Sequence, residues 1–160
     1  MKVIKSVLVA FFALAVAVVM ASPASAVAAK FHSVSASVNN SGALVVSFDE
    51  RGLGNGNIDY LLAADSVAMY ACINGGGNHP QAANKETVNG DVSAAGSFES
   101  RNGRVQASLS AGPISAGAFT CPGGQRLVLA SVSYSNIMLT DTTNGTSTSV
   151  PDISRVFFAV

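Results

Sequence analysis

The side chains that could do chemistry are concentrated in one glycine-rich loop. Residues 74–85 read Asn-Gly-Gly-Gly-Asn-His-Pro-Gln-Ala-Ala-Asn-Lys. Consecutive glycines leave backbone amides open to a ligand oxygen, and the side-chain amides add hydrogen-bond donors and acceptors. A purely structural interpretation, in which the loop is a wide connection between sheets, is favoured for the loop taken by itself.

A disulfide between Cys72 and Cys121 would bring a second polar segment, residues 122–126, beside this loop. The two segments together form a candidate binding rim, where a sugar or another polar ligand could be held. The members of this binding rim are Asn74, Asn78, His79, Gln81, Asn84, Lys85, Gln125 and Arg126.

The disulfide itself is predicted from cysteine number and spacing. Cys72 and Cys121 are the only two cysteines, and an even pair in an exported domain is typical of one bridge. A redox pair would need a short spacing such as two intervening residues, which is absent.

Few groups of side chains in the sequence could catalyse a reaction. A serine or cysteine hydrolase needs a histidine as proton shuttle, and only His32 and His79 could serve; neither lies in a nucleophile-elbow motif. Asp49 and Glu50 are adjacent, so a strand would place them on opposite faces, which suits no glycosidase carboxylate pair. We therefore predict no enzyme and no catalytic residue.

No cofactor or metal is predicted either. The cysteines are used in the bridge, and the two histidines lack any paired spacing for zinc. Asp141-Thr-Thr-Asn-Gly145 contains an acid, an amide and a glycine, but it lacks the alternating oxygen ligands of a calcium loop. A hairpin turn capped by Asp141 is favoured instead.

Residues 1–26 have the pattern of a secretory signal peptide. Lys2 and Lys5 precede an apolar run over residues 6–20, and Ala24-Ser25-Ala26 is a typical cleavage site. A membrane anchor is the disfavoured alternative, because about 15 apolar residues span only about 22 Å as a helix. The prediction is a secreted, extracellular domain over residues 27–160 with no membrane anchor after cleavage.

Charge and composition exclude some functions. Removing residues 1–26 leaves seven basic against nine acidic residues, a net charge of −2, so no basic field exists for binding nucleic acid. Charged residues make up only 11% of the whole chain, about half the usual share. Edge strands with so few charges are poorly protected, so self-association is possible.

The elements that must position these side chains are predicted from a period-two alternation of apolar and polar residues. It predicts strands, with a bulge near Ser135 and Asn136 and an ambiguous stretch at 58–69 that we read as strand. Most aromatic rings are needed for the core; Tyr60 and Tyr70 could line an exposed face, although packing is favoured. The seven predicted strands are residues 33–38, 44–49, 58–73, 92–99, 104–110, 126–140 and 153–158.

Five Asn-Gly pairs punctuate these strands and predict tight hairpin turns, the cleanest at Asn102-Gly103 between residues 92–99 and 104–110. About seven short strands in one domain predict an all-β fold, an antiparallel two-sheet sandwich of immunoglobulin-like type, with an open-ended barrel as the alternative. In that order the third strand, which Cys72 closes, and the sixth strand, which Cys121 precedes, are antiparallel neighbours, so the bridge would fasten one end of a sheet.

The run 70–85, together with Cys121-Pro-Gly-Gly-Gln125 and residues 139–145, resembles a group of small exported proteins found in filamentous actinobacteria and in some fungi. The resemblance spans most of residues 27–160. It implies a bacterial, cell-exterior setting, but it carries no known activity and therefore assigns no site residue.

The function predicted from these features is an extracellular, non-enzymatic binding module for a polysaccharide, an envelope component or a protein. An inhibitor of extracellular proteases that presents the loop around His79 or Gly123 is the first alternative, since rigid loops bind with less ordering cost. A small hydrolase or lyase using His79 with a carboxylate is the second. Fold alone does not separate them.

Overall fold

A computed structural model describes residues 28–74 and 84–159. Every regular element in these ranges is a β-strand. The described residues include no helix long and apolar enough to cross a membrane. The predicted signal peptide and the loop residues Asn78, His79 and Gln81 lie outside the described ranges. The strands are β1 (Lys30–Val38), β2 (Leu44–Arg51), β3 (Gly56–Asn74), β4 (Lys85–Ser100), β5 (Arg104–Ala111), β6 (Gln125–Asp141), β7 (Thr146–Val150) and β8 (Ile153–Val156).

The strands form two antiparallel sheets. The first sheet has the order β1-β2-β5, and the second has the order β4-β3-β6-β7, with β8 also paired to β6. The predicted all-β architecture of two antiparallel sheets is confirmed. The eighth strand is β7, which follows the Asn144-Gly145 turn and was not among the seven predicted strands.

The core lies between the two sheets and follows directly from the alternation. In β2 the inward residues Leu44, Val46 and Phe48 are buried, while Ser47 between them is exposed. The Phe48 ring packs on Tyr60 of the second sheet, with centroids 4.6 Å apart. Each such buried side chain stabilises the fold by about 1.5–3 kcal/mol relative to leaving it exposed.

Tyr60 is therefore a core residue, with 1% of its surface exposed. Tyr70 is half-buried, and its hydroxyl donates a hydrogen bond to the carbonyl of Ile114 at 2.7 Å. Neither tyrosine lines an exposed face, which agrees with the favoured packing interpretation.

The predicted bulge in β6 is confirmed. Pairing with β3 shifts between Ala63↔Met138 and Asp65↔Ser135, and Asn136 has a positive φ of 51°. Its side-chain amide donates to Asp65 Oδ2 at 2.6 Å. The extra residue lets a long strand twist with its neighbour while the apolar side chains on either side still face the core.

The Asn102-Gly103 turn forms as predicted, but the hairpin around it does not. Both residues have positive φ, 52° and 72°, and the backbones of Arg101 and Arg104 bond each other across the turn. Beyond that one bridge β4 pairs with β3 and β5 pairs with β2, so the two strands enter different sheets. Pairing with long-range partners outweighs the local hairpin.

A second turn prediction, at Asn89-Gly90, is wrong. Both residues lie inside β4, paired with Val67 and Ser66. A Cβ on Gly90 would lie 2.7 Å from the Ile114 side chain. The glycine here makes room for a packed side chain rather than for a turn.

Candidate functional site

The disulfide closes one end of the second sheet. Cys72 lies near the end of β3 and Cys121 just before β6, with their Cα atoms 5.5 Å apart. The two strands are antiparallel neighbours, and Cys72 pairs in register with Leu127. The predicted bridge is confirmed, and it fastens neighbouring strands at this end, called below the disulfide end.

The rim residues in the described part of the chain gather at the disulfide end. Asn74 pairs in register with Gln125 across the ends of β3 and β6. The Asn84 side-chain amide donates to Gln125 Oε1 at 3.4 Å, a weak hydrogen bond. The Asn84 carbonyl accepts from the Cys72 backbone amide at 3.0 Å, so the segment that carries Asn84 is tied to β3 beside the bridge.

The two cations of the binding rim flank the same strand. Lys85 on β4 pairs with Ala71, and Arg126 on β6 pairs with Ile73. Because Ala71 and Ile73 are two residues apart, both cations belong to one face of the sheet. Both are exposed. The rim can therefore offer amide groups to neutral polar ligands and positive charge to an anion.

The opposite end of the molecule holds a site that sequence reasoning missed. A hollow of about 590 Å³ lies between the β2–β3 and β4–β5 connections. Asp49 Oδ1 accepts from Arg104 Nε at 2.7 Å, and Asp49 Oδ2 accepts from both Arg104 and Arg51 at 2.9 Å. The lining residues are Arg51, Gly52, Leu53, Gly54, Asn102, Gly103 and Arg104.

The charges around Asp49 hold the carboxylate ionised. Hydrogen bonds from Arg104 and then from Arg51 keep the pKa of Asp49 far below its ordinary value, against a smaller opposing effect of burial. The same pairing raises the pKa of Arg104. A sequence signal for this site exists in retrospect: each connection is an Asn-Gly turn flanked by arginine, Arg51 before one and Arg101 and Arg104 around the other.

Glu50, the neighbour of Asp49, has the opposite environment. Its side chain is fully buried, and neither carboxyl oxygen nor the hydroxyl of nearby Tyr60 has a hydrogen-bond partner of good geometry among the described residues. Burial raises the pKa of Glu50, the buried Asp141 adds to the rise, and Tyr60 opposes it. Asp49 and Glu50, which were predicted to lie on opposite faces of the strand, therefore have pKa values shifted in opposite directions. Hydrogen bonds from arginine lower the pKa of Asp49, and burial raises the pKa of Glu50.

Asp141 is the other fully buried acid, and it is satisfied by its own turn. Its Oδ1 accepts from the backbone amides of Thr143 and Asn144 at 2.8 Å, and its Oδ2 accepts from the Asn144 side chain at 2.6 Å. The favoured role of Asp141 as a turn cap thus agrees with the geometry.

The described residues assemble no hydrolytic machinery around a histidine. His32 is exposed at a bulge in β1, where pairing shifts from Phe31↔Glu50 to Ser33↔Asp49. Glu50 has a raised pKa of the kind that general acids show, but its zero exposure leaves no path for a substrate. Within residues 28–74 and 84–159, no three metal-ligating side chains are grouped.

The chain was compared with known protein families, with curated proteins and with solved structures. None of the three comparisons finds a match.

Proposed function

We propose that this protein is a secreted, non-enzymatic module that binds an extracellular polysaccharide, an envelope component or a protein through the binding rim. The observation that carries the proposal is the gathering of Asn74, Asn84, Lys85, Gln125 and Arg126 around the Cys72–Cys121 bridge. Amides and cations at the disulfide end give directional hydrogen bonds together with attraction for negative charge.

The rigidity of the strands that carry the rim favours binding at the disulfide end. The rim segments lie on β3, β4 and β6, and β3 pairs with β4 on one side and with β6 on the other over most of its length. The disulfide ties the segment before β6 to the end of β3. A ligand that meets side chains already held in place loses less free energy to ordering, so such a rim can bind with few contacts.

The proposed setting is the cell exterior. A disulfide is stable in oxidising compartments, which supports export. The signal peptide at residues 1–26 and the kinship with small exported proteins of filamentous actinobacteria and fungi are proposals from sequence. The signal peptide would be tested by finding the mature chain, beginning near Val27, in the culture medium of its source.

We also propose that the sandwich is immunoglobulin-like in topology. An immunoglobulin constant domain groups its first, second, fourth and fifth strands against its third, sixth and seventh. The order β1-β2-β5 against β4-β3-β6-β7 differs from that grouping only in the sheet to which β4 belongs, and in the added β8. Proton–proton contacts measured by NMR between β4 and β3, rather than between β4 and β5, would support the variant order.

The binding proposal is tested by retention of the purified protein on chitin, cellulose and cell-wall preparations. Wild type is compared with Lys85→Ala, with Asn78→Ala and with Arg101→Gln, which removes an exposed cation at the opposite end as a matched control. We expect the two rim variants to be retained less and the control to be retained like wild type. Equal retention of all forms, or retention of none, contradicts binding at the rim.

Screening the same proteins against secreted serine proteases and metalloproteases tests the inhibitor alternative. Inhibition that Lys85→Ala leaves intact, together with equal retention of all forms on polysaccharide, would replace the rim proposal.

A further inference from the structure

Three cations lie side by side across the first sheet. Lys30 on β1 pairs with Arg51 on β2, and Arg51 pairs with Arg104 on β5. Neighbouring strands are about 4.8 Å apart, so this cation row, Lys30, Arg51 and Arg104, spans about 10 Å. Arg51 and Arg104 have side chains 49% and 41% exposed, and Lys30 is exposed as well.

Like charges directly opposite each other on neighbouring strands are destabilising. The next row of the same face is Ser33, Asp49 and Gln106, so Asp49 is the single acid that faces these three cations within the strand register. The row therefore keeps a net charge of about +2 on a domain whose overall charge is negative. An arrangement that costs stability and is only partly compensated is typical of a binding site.

Hydroxyl groups continue the same face away from the cation row. The third row is Ser35, Ser47 and Ser108, and all three serines are exposed. The fourth row is Ser37, Val45 and Ser110. Rows are two residues apart along each strand, about 7 Å, so the face offers a regular array of small hydrogen-bonding groups extending about 20 Å from the cations.

Hollows meet at the cation row. Arg51 and Arg104 both line the hollow of about 590 Å³ at the two glycine-rich connections. Lys30 and Arg51 line a second hollow of about 310 Å³ next to the start of β1. Each guanidinium has five N–H donors, and Asp49 accepts from only some of them, so donors remain for an incoming oxyanion.

We propose that the outer face of the first sheet binds a carboxylate-bearing polysaccharide, with a uronate carboxylate on the cation row and sugar hydroxyls along the serine rows. Arginine forks match carboxylates, and the neutral hydroxyl rows match sugar rather than a dense polyanion. The face has no aromatic side chain in these rows, whereas protein interfaces are enriched in aromatics and depleted in serine. This site is separate from the binding rim.

The test measures retention on immobilised polygalacturonate, with dextran as the neutral polymer and dextran sulfate as the sulfate-bearing one. Arg51→Gln removes one cation while Arg104 still pairs with Asp49. Ser47→Asp places a charge in the middle of the exposed serine row. Ser93→Asp is its control, because it adds the same charge at an exposed position on the outer face of the second sheet. Arg126→Gln makes the same change as Arg51→Gln at the disulfide end.

We expect wild type to bind polygalacturonate and not dextran, with binding that weakens as salt is raised. Arg51→Gln and Ser47→Asp should each bind about tenfold more weakly, since a lost charge-assisted hydrogen bond or an added repulsion is of that order. Ser93→Asp should bind like wild type, and Arg126→Gln should retain more binding than Arg51→Gln. Stronger binding of the sulfate polymer than of polygalacturonate overturns the carboxylate assignment.

The proposal is also overturned if Arg126→Gln weakens binding as much as Arg51→Gln, because the polymer then binds at the rim. It is overturned if Arg51→Gln and Ser47→Asp both bind like wild type. A second copy of the chain is the competing occupant, because the outer face of the second sheet carries Asp59, Asp65, Asp91 and Glu99. Self-association in sedimentation that Arg51→Gln abolishes, without retention on polygalacturonate, would establish that occupant instead.

Discussion

Glu50 should make this protein less stable as the pH rises above the ordinary pKa of a glutamate side chain. Its carboxyl group is fully buried between the two sheets and has no hydrogen-bond partner of good geometry among the described residues. Burial raises its pKa, so the folded protein binds the proton more tightly than the unfolded chain does. The neutral acid fits the fold, and stability is then fully present at pH values below the ordinary pKa of about 4.5.

Above that pH, unfolding releases a proton, and stability falls by about 1.4 kcal/mol per pH unit until the pH passes the folded pKa. Glu50→Gln keeps the volume and removes the titration. At pH 7 we expect this variant to be more stable than wild type by about 1.4 kcal/mol for each unit by which burial raises the pKa of Glu50, which in a domain of this size raises Tm by about 3 °C per kcal/mol.

Urea unfolding of wild type and Glu50→Gln, followed by circular dichroism at pH 4, 5, 6, 7 and 8, measures the effect. The two proteins should have similar stability at pH 4 and should diverge as the pH rises. Glu86→Gln makes the same change at an exposed position of β4 and should follow wild type at every pH. Parallel profiles for wild type and Glu50→Gln would refute the reasoning, because Glu50 would then be solvated or paired as well in the fold as in the unfolded chain.

Three further outcomes follow from the same geometry. Asp49→Asn should be less stable than wild type at pH 7, and the gap in urea midpoint should narrow as the pH falls below about 4, because the lowered pKa of Asp49 contributes stability that is lost on acidification; a gap that is constant with pH would contradict this. The double variant Cys72→Ala, Cys121→Ala should lose about 4 kcal/mol of unfolding free energy for a loop of 49 residues, and dithiothreitol should destabilise wild type but not the variant. Gly103→Ala should cost about 1 kcal/mol in thermal unfolding, because φ is 72° and the new Cβ would lie 3.2 Å from the Leu53 carbonyl oxygen; Gly54→Ala, where the new Cβ meets open space, should cost less, and equal losses would show that the turn conformation is not the cause.

Much of the fold could be predicted because its signals are local. The alternation at residues 44–48 assigns inward and outward faces without any knowledge of the partner strands. Asn102-Gly103 adopts positive φ because these two residue types tolerate it, and the interrupted pattern near Asn136 marks a bulge. The two cysteines paired as their number and the export pattern indicated.

The candidate site could be predicted less completely, because it depends on which strands become neighbours. The bridge located part of the binding rim at one end of the second sheet, since a disulfide is a long-range contact that is visible in the sequence. The cation row has no such signature. Lys30, Arg51 and Arg104 are separated by 21 and 53 positions, and only the register of β1 on β2 and of β2 on β5 aligns them.

The amino-acid sequence by itself thus determined where seven of the eight strands run, which side chains of β2 face inward, the tight turn at Asn102-Gly103 and which cysteines pair. The tertiary structure alone decided that β4 and β5 part into different sheets, that Glu50 is fully buried between the sheets, and that three cations share one row. The physical reason is range: backbone angles and alternation depend on a few adjacent residues, whereas the choice of strand partner balances the pairing and burial of all the strands together.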